Sequence, residues 1–461
     1  MSIFSATVML FLLLAASGCA TFPDAAELFD QLPESGDLPL IVGAQRPLSP
    51  HERRTALQRL REQAGPTDIL ERHTRVMELV SGRPLISGNK ATLLKDGPAI
   101  FSAMKDAMRT ASDHINLETF IFKDDRVGSE FADLMLEKQA EGVQVNVIYD
   151  GLGSLKTSSG FFERLRDAGV KTLEFNPVSL RNPLGLLRIS HRDHRKILVV
   201  DGSVAFTGGV NIVDIYAKPS FVLGLGRTDE TLKWRDTSVR VEGPAVAEFQ
   251  KLFLGNWHQH NGPELAPRRY FPPLQPRGNA LVRVIGSSPQ MKGYGVAYLL
   301  YLSAIEHAAS YIHITNSYFV PDRQMLTALK DAAARGVDVR LIVPGITDHM
   351  IAMYAGRYHY RDLLEAGIKI YERQGMILHA KTAVIDKVWS TVGSTNLDYF
   401  SFVKGDEVNA VILCREFGAE MEAMFEDDLR ESKQILLEEW KERPLLPRLV
   451  EWLSHLFRYW L

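Results

Sequence analysis

Residues 194–201 read HRKILVVD, and residues 379–386 read HAKTAVID. Both stretches fit the pattern H-x-K-x-x-x-x-D. The match continues downstream, where a glycine, a small residue and an asparagine follow at the same distances from each histidine (Gly208, Gly209 and Asn211; Gly393, Ser394 and Asn396). At ordinary residue frequencies, a random chain of this length would contain the pattern with a chance of only about a few per cent. Two copies with the same continuation therefore indicate an internal duplication that carries a function.

Each copy predicts a strand, because β-branched and other apolar residues fill the gap between the lysine and the aspartate. Side chains alternate along a strand, so His194 and Lys196 face the same way, as do His379 and Lys381. The downstream asparagines would bring amide groups to the same place. Two such halves brought together make a pocket that suits an oxyanion with spread charge, above all a phosphodiester.

The chemistry of such a pocket divides between its two imidazoles. One can attack phosphorus and the other can protonate the leaving oxygen, so that a covalent phosphohistidine separates one difficult step into two. An alcohol or water then takes the phosphoryl group, while lysines and asparagines hold its oxygens. This chemistry requires no metal, and the sequence has no dense acidic and histidine cluster at metal-ligand spacing. We predict neither a metal site nor a cofactor.

The paired motifs resemble the signature of the phospholipase D superfamily, and the chain resembles bacterial cardiolipin synthases more closely. The closer likeness rests on residues 115–122 (INLETFIF), 148–154 (IYDGLGS), 191–202 (HRDHRKILVVDG), 234–243 (WRDTSVRVEG) and 392–398 (VGSTNLD). It covers roughly residues 85 to 440.

The resemblance implies a role for each residue of the site. In that family the histidine of the first motif is the nucleophile, which implies this role for His194 and the role of general acid for His379. Acidic residues downstream of each motif orient the imidazoles, and Asp236 and Glu407 occupy the expected positions. The remaining predicted site residues bind phosphate or support the site (Lys196, Lys381, Asn211, Asn396 and Ser394 for phosphate; Asp201 and Asp386 for support).

Alternating strand and helix signals predict the fold class, α/β. Helices are predicted near 97–111, 128–141, 158–168 and 243–259, and strands at 115–122, 143–150, 172–176, 196–200 and 237–242. Short matches extend the duplication upstream of the motifs (Ala111-Ser112 with Ala309-Ser310; Gly142-Val143 with Gly336-Val337). We predict two duplicated phospholipase D-type layered domains, residues 86–265 and 279–440, with a Pro-rich linker at 261–278. The resemblance implies packing about a pseudo-two-fold axis.

The N-terminus is an apolar run, residues 3–18, that ends at Cys19. The run is short for a membrane span and ends in small residues, which is typical of a secretory signal. Residues 16–19 (ASGC) resemble a lipoprotein cleavage motif, so we predict a signal peptide at 1–19 and a lipid anchor on Cys19. An uncleaved anchor and a mis-assigned start are the alternatives. The residue after Cys19 is alanine and not aspartate, a pattern that resembles the sorting signal of outer-membrane lipoproteins. Residues 20–85 are predicted to be a tether with packing helices.

Two further segments are candidates for contact with lipid. Residues 178–190 are an apolar insertion of the first half just before its motif, and they are predicted either to contact lipid or to pack as an ordinary loop. Residues 443–461 form an amphipathic, aromatic C-terminal segment. They are predicted either to lie at a membrane interface or to pack as a final helix.

Composition limits the partners. The net charge of −3 shows no basic excess, so we expect no nucleic acid partner. The two cysteines, Cys19 and Cys414, provide no disulfide framework, and Cys414 is predicted to be a buried small hydrophobe. We expect a monomer that meets phospholipid substrates at a membrane surface of the cell envelope.

The function that these observations predict is a membrane-associated phosphatidyltransferase, with cardiolipin made from two phosphatidylglycerols. The first alternative is a phospholipase that uses water as the acceptor, and the second is a nuclease of the same superfamily. A third is an envelope lipoprotein that binds anionic lipid with a degenerate site, and the intact motifs in both halves argue against it.

Overall fold

The computed structural model describes residues 22 and 25 and residues 38–65, 67–178, 191–216, 233–289 and 295–461. The predicted signal peptide with Cys19 lies outside the described residues, and so does the predicted lipid-contacting loop from residue 179 to residue 190.

The described strands are, in chain order, β1 (Ile41–Val42), β2 (Leu85–Lys95), β3 (His114–Thr119), β4 (Gln144–Asp150), β5 (Lys171–Phe175), β6 (Arg192–Asp193), β7 (Ile197–Val200), β8 (Val204–Gly208), β9 (Lys233–Arg235), β10 (Thr237–Glu242), β11 (Ala280–Ser287), β12 (Tyr311–Asn316), β13 (Asp338–Ile346), β14 (Lys369–Leu378), β15 (Lys381–Ile385), β16 (Trp389–Gly393), β17 (Gly405–Leu413) and β18 (Ser432–Ile435).

The described α-helices are α1 (Pro50–Ala64), α2 (Thr74–Ser81), α3 (Gly97–Arg109), α4 (Arg126–Ala140), α5 (Ser159–Asp167), α6 (Val246–Gln259), α7 (Val296–Glu306), α8 (Arg323–Ala334), α9 (Met350–Arg357), α10 (Tyr360–Glu365), α11 (Arg415–Arg430), α12 (Leu437–Lys441) and α13 (Leu445–His455). The helices and strands predicted for the first half agree with α3 to α6 and with β3, β4, β5, β7 and β10. Residues 261–278, the predicted linker, carry neither helix nor strand.

Two mixed sheets have the same strand order. The first runs β5-β4-β3-β7-β8-β10-β2 and the second runs β14-β13-β12-β15-β16-β17-β11. In each sheet the first three strands are parallel and the motif strand, β7 or β15, starts the antiparallel part. β2 also pairs with β11 and so joins the sheets. This topology confirms the α/β fold and its duplication.

The motif strands are apolar on both faces because both faces are buried. Leu198 and Val200 of β7 pack in the core beneath the helices of the first half. Ile197 and Val199 face the other way and share an apolar cluster with Val384 of β15. Both sheets contribute valine and isoleucine side chains to this cluster, which lies where the halves meet. Such burial explains why the run ILVV shows no polar alternation.

The sheets correct one match of the sequence comparison. The sequence aligns Ala111 with Ala309, but the structure makes Ser112 the counterpart of Ala309. The reason is the register of pairing: Ile115 faces Val200 in the first sheet, and Ile312 faces Ile385 in the second. The Ala-Ser identity is therefore one residue out of step with the backbone.

The N-terminal helices pack on the second half. Ser49 and Glu52 form a capping box at the start of α1, where Pro50 is the first residue. Beyond α1, Ile69 and Met77 are fully buried in the core of the second half. Trp389 donates a hydrogen bond of 3.0 Å from Nε1 to Nε2 of the buried His73. The helices α1 and α2, which lie within the region 20–85 predicted as a tether with packing helices, are thus part of a folded core.

The C-terminal segment forms α13, which packs against α9. The ring of His455 stacks on Tyr358 at 4.2 Å, and Arg443 forms an ion pair with the buried Glu451. The opposite side of α13 carries exposed leucine and tryptophan side chains. The segment therefore packs as a final helix and also presents an apolar surface. Among the described residues, no helix combines the length and apolar character needed to cross a membrane. Cys414 is buried, as predicted.

Candidate active site

Backbone bridges between the halves hold the two motif histidines. β6, just before His194, pairs in parallel with the start of β17, and the His194 N–H donates to the Asp406 carbonyl at 2.9 Å. The end of β14, just before His379, pairs in parallel with β9, and the His379 N–H donates to the Arg235 carbonyl at 2.8 Å. The two arrangements are related as expected for a pseudo-two-fold axis.

Each imidazole is oriented by a carboxylate from the opposite half. Nδ1 of His194 lies 2.9 Å from Oε1 of Glu407, and Nδ1 of His379 lies 2.8 Å from Oδ2 of Asp236. Both carboxylates are fully buried. Burial raises the pKa of Glu407 to about 8, against the opposing charge of Lys196. In its carboxylate form each acid accepts the Nδ1 proton, which leaves Nε2 of the ring available to a substrate. The structure therefore places both acids predicted from the sequence next to the histidines.

The small residue of each motif leaves room for these carboxylates. A Cβ atom on Gly209 would collide with the carboxylate of Asp236, so glycine is required there. At the equivalent position, the Ser394 hydroxyl donates to Oε2 of Glu407 and accepts the Val408 N–H at 3.0 Å. Ser394 thus contacts the orienting acid.

The motif lysines are buried beside the histidines. Nζ of Lys196 donates to the carbonyl of His194 at 2.7 Å, and Nζ of Lys381 donates to the carbonyl of His379 and to the Ser317 hydroxyl. Burial lowers the pKa of Lys196 to about 7, against the opposing charge of Glu407, and lowers the pKa of Lys381 to about 8. The pKa of each lysine is also shifted by charged groups of the other half, so the two half-sites form one site.

Burial also lowers the pKa of both histidines. For His194 the pKa falls well below its ordinary value, because both motif lysines and His379 add their repulsion to the burial. For His379 the repulsion comes from Lys381, and the hydrogen bond and charge of Asp236 oppose the decrease. His194 is therefore neutral near pH 7, and His379 is the ring whose surroundings favour a proton more.

The motif asparagines are each linked to the site through one intervening side chain, Tyr216 for Asn211 and Ser317 for Asn396. Asn211 accepts the Ile121 N–H at 3.2 Å and donates to the Tyr216 hydroxyl at 3.2 Å. Asn396 accepts a hydrogen bond of 2.8 Å from the Ser317 hydroxyl. The same serine accepts a hydrogen bond from Lys381, so Asn396 is linked to the lysine through it.

The motif aspartates lie at the other end of the motif strands, about 20 Å from the histidines by strand geometry. Asp201 accepts hydrogen bonds from the N–H groups of Ser112, Asp113 and His114. Asp386 does the same for residues 309–311 and also accepts the Thr67 hydroxyl at 2.7 Å. Their contacts tie the motif strand to the start of its neighbour.

Aromatic residues that the sequence did not single out surround the histidines. The ring of Phe120 lies 5.2 Å from that of His194, and the rings of Trp234 and Tyr318 lie 5.2 Å and 6.3 Å from that of His379. The Tyr216 hydroxyl lies 3.1 Å from Nδ1 of His379. Phe120 and Tyr318 each follow an inner strand by one or two residues, and this position is the signal that could have identified them, whereas Trp234 lies within β9.

No group of three or more histidine, cysteine or acidic side chains in the described part of the chain is arranged to hold a metal ion.

Arg195, between the motif histidine and lysine, is buried, and its guanidinium group donates hydrogen bonds to the carbonyls of Glu407 and Ser287, at 3.3 Å and 2.9 Å. It therefore links the first motif to the second half.

Comparisons with known proteins agree with this geometry. A family model described as "Cardiolipin synthase, PLD-like domain" matches residues 104–216 and 301–429. The chain is 35% identical over 401 residues to the cardiolipin synthase of Alkalihalophilus pseudofirmus, an alignment that covers 87% of this chain and 77% of that protein. It is 36% identical over 379 residues to the cardiolipin synthase of Geobacillus thermodenitrificans, with 82% and 73% covered.

Solved structures share the fold. Phosphatidylserine synthase of Haemophilus influenzae superposes with a TM-score of 0.60 at 13% identity, covering 82% of this chain and 95% of that one. Polyphosphate kinase of Porphyromonas gingivalis gives a TM-score of 0.50 at 14% identity, covering 82% of this chain and 54% of that one. At these identities the likeness concerns the fold alone.

Proposed function

The chain belongs to the cardiolipin synthase family of the phospholipase D superfamily, and from this premise we propose that it transfers a phosphatidyl group through a phosphohistidine. As a phosphatidyltransferase of that superfamily, it would use phosphatidylglycerol as the donor and a second phosphatidylglycerol as the acceptor. The products are cardiolipin and glycerol.

In the first step Nε2 of His194 attacks the phosphorus of the donor. The bond between phosphorus and the glycerol oxygen breaks, and that oxygen takes the proton from Nε2 of His379. Glycerol leaves, and the phosphatidyl group stays on His194. Glu407 keeps the proton of His194 on Nδ1 and stabilises the positive charge that the ring gains, as buried carboxylates do in comparable dyads.

In the second step His379, now neutral, takes the proton from a hydroxyl of the second phosphatidylglycerol. The oxygen attacks phosphorus, the phosphorus–nitrogen bond breaks, and cardiolipin forms with His194 restored. Lys196 and Lys381 offset the charge on the phosphate oxygens in both steps. Asp236 holds His379 in the orientation that both proton transfers need.

The crossed histidine–carboxylate pairs carry this proposal. Because each acid comes from the other half, both imidazoles are fixed by one interface and both lysines are held beside them. A nucleophile and a proton donor on opposite sides of one phosphorus are what an in-line displacement requires.

We propose that the enzyme meets its substrates at a bilayer. An apolar face, formed by α9, α13 and the C-terminal turn, consists of side chains that are each more than a third exposed (Met350, Ile351, Leu445, Leu446, Leu449, Trp452, Leu453, Leu456, Phe457 and Trp460). Large contiguous apolar surfaces rimmed by polar groups are typical of membrane or partner contacts. The predicted lipid anchor on Cys19 would hold the protein in the cell envelope.

The position of the apolar face favours a bilayer as its partner. His349, immediately before α9, packs against Tyr318 at 5.6 Å, and Leu461 lies in the same cluster as Tyr318. Since Tyr318 packs beside His379, this end of the apolar face lies near the candidate active site. Lys404 lies 5.4 Å from the Trp460 ring and adds positive charge at the same end, which suits anionic phosphatidylglycerol.

Product analysis tests the proposed reaction. The purified protein is given phosphatidylglycerol vesicles labelled in the glycerol headgroup and, in a parallel reaction, in the acyl chains. We expect labelled cardiolipin together with free glycerol, and neither product with His194→Ala. Phosphatidic acid as the sole lipid product of the wild type would instead establish a hydrolase.

A further inference from the structure

The two half-sites differ in the aromatic ring that packs on the histidine and lysine. On the side of His194 the ring is Phe120, which has Nζ of Lys196 5.4 Å from its centroid. On the side of His379 the ring is Tyr318, which has Nζ of Lys381 5.8 Å from its centroid. The first ring is purely apolar, whereas the second carries a hydroxyl. In the register of the two sheets Tyr318 corresponds to Ile121, so the hydroxyl beside His379 has no counterpart at the equivalent position of the first half.

The hydroxyl of Tyr318 leads to a carboxylate. It donates to Asp348, with 2.8 Å to Oδ1 and 2.9 Å to Oδ2. Asp348 lies in the turn after β13 and is half-buried, and Tyr318 is also partly exposed. Among the described residues, Tyr318 is the donor that contacts the carboxylate of Asp348, and an ionised carboxylate has about four lone-pair positions. Within the described part of the chain, acceptor capacity therefore remains on Asp348 near His379.

The reaction brings alcohols to this side. According to the proposed function, on which this inference rests, His379 gives a proton to the leaving glycerol and takes one from the incoming hydroxyl. Glycerol and the headgroup of phosphatidylglycerol both carry further hydroxyls one or two carbons from the reacting oxygen. Such a hydroxyl is a donor with no charge, and a carboxylate is its strongest protein partner.

A cationic headgroup is the alternative occupant of this side. An ammonium group would form an ion pair with Asp348, and the charge of Lys381, which lies close to Tyr318 and has a pKa of about 8, opposes it. A neutral polyol meets no such repulsion, and the competition with ethanolamine decides between the two.

We propose that Tyr318 and Asp348 form the alcohol subsite of the enzyme, which binds a second hydroxyl of the glycerol headgroup and so places the reacting oxygen at His379. Tyr318 orients the carboxylate and closes the subsite toward the histidine ring. Because a polyol offers a second hydroxyl to Asp348 and water has only one oxygen, the subsite would favour transfer to a polyol over hydrolysis.

Competition between small alcohols tests the subsite. The full chain in detergent micelles receives unlabelled phosphatidylglycerol, with isotope-labelled glycerol, 1-propanol or ethanolamine as the added acceptor. The label that enters the lipid fraction measures transfer to each alcohol, and phosphatidic acid measures hydrolysis. 1-Propanol lacks the second hydroxyl, so it reports the chemistry without the subsite. We expect the wild type to prefer glycerol over 1-propanol by roughly 10-fold or more, as for a hydrogen bond to a charged group.

The variants separate binding from structure. Asp348→Asn should lose most of the glycerol preference, measured as the ratio of transfer to glycerol over transfer to 1-propanol at one pH, and hydrolysis should gain relative to transfer to glycerol. Tyr318→Phe, which keeps the ring, should lose part of the preference. The matched control Asp331→Asn changes an exposed aspartate of α8 and should behave as wild type.

The outcomes are distinguishable. Equal losses of transfer to glycerol and to 1-propanol in Asp348→Asn, or an unchanged preference in Tyr318→Phe, would overturn the subsite and leave the proposed function intact. A wild type that prefers ethanolamine over glycerol would overturn the assignment to a neutral polyol. A wild type that transfers to none of the alcohols would overturn the proposed function and the subsite together. If Asp348→Asn fails to fold, Tyr318→Phe decides alone.

Discussion

Nδ1 of His194 lies 2.9 Å from Oε1 of Glu407, a residue 213 positions away in the chain. The first half therefore contains the proposed nucleophile but not the acid that orients it. The reverse holds for His379, whose acid is Asp236. Neither half contains a complete histidine–carboxylate pair, so the site exists only when the halves are docked.

Replacing Glu407 should reveal how much the acid contributes to catalysis by His194. Glu407→Gln keeps the size of the side chain but lets the imidazole of His194 take the wrong tautomer, so we expect kcat to fall roughly 100- to 10,000-fold, as in related dyads. Thermal unfolding should change little because the amide fills the same space. A Glu407→Gln enzyme with nearly normal kcat would contradict the role of the acid.

The two histidines should respond differently to the leaving group. With a p-nitrophenyl phosphodiester, whose leaving oxygen needs no proton, His379→Ala should retain much more activity than it does with phosphatidylglycerol. His194→Ala should lose activity with both. Intact-mass measurement of His379→Ala after rapid quenching should reveal the phosphorylated enzyme, with the modification on His194. Modification on His379 in a His194→Ala enzyme would reverse the assignment.

The sequence predicts one part of this site and not the rest, for physical reasons. The repeated motif identifies the histidines and lysines because local strand geometry places them on one face. The register of β7 and β15, with apolar residues on both faces, follows from the same pattern. The pairing of His194 with Glu407 depends on how two halves dock, and no local pattern encodes that.

Other features were out of reach for similar reasons. Tyr318 meets Asp348 because the turn after β13 brings together residues 30 positions apart. The contact of Thr67 with Asp386 joins residues 319 positions apart, so the packing of the N-terminal segment on the second half cannot be read from its own composition. The sequence match of Ala111-Ser112 with Ala309-Ser310 gave an alignment of the two halves that differs by one residue from the alignment of their sheets.

The pH profile should fall on the alkaline side. Burial lowers the pKa of Lys196 to about 7 and that of Lys381 to about 8, so rising pH removes the charges that hold the phosphate. His379 must also carry a proton, and burial lowers its pKa too. Glu407, whose pKa burial raises to about 8, must lose its proton over the same range. Since kcat/KM reports the free enzyme, we expect it to pass through a maximum and to fall above about pH 8, where both lysines lose their charge. The falling limb for kcat should lie at higher pH because bound phosphate favours the ammonium forms. A kcat/KM that still rises above about pH 9 would exclude this assignment.

The motif aspartates should affect stability rather than chemistry. Asp201→Ala leaves three backbone N–H groups and the Ser112 hydroxyl without their acceptor. We expect the free energy of unfolding in urea to fall by about 2–4 kcal/mol. Asp201→Asn, which keeps one acceptor oxygen, should lose less. Below the unfolding transition, kcat of Asp201→Ala should stay within about threefold of wild type. A loss of kcat by two orders of magnitude in a stably folded variant would instead place Asp201 in the chemistry.

The apolar face should control binding to bilayers independently of the active site. Leu445, Leu449 and Trp452 are 79%, 50% and 46% exposed, so changing all three to serine removes apolar surface without opening the core. At about 1 kcal/mol for each partly inserted side chain, vesicle affinity should fall by a factor of roughly 100.

Flotation with phosphatidylglycerol vesicles measures this affinity on chains that begin at Ala20, which removes any contribution of a lipid on Cys19. The matched control is Phe271→Ser, a single change at a 51% exposed side chain of the linker region, which should float as wild type does. The triple variant should also turn over a soluble phosphodiester at the normal rate, because none of the three side chains contacts the histidines or lysines of the site. Unchanged flotation, or equal losses on vesicles and on the soluble diester, would show that the face is not the membrane contact.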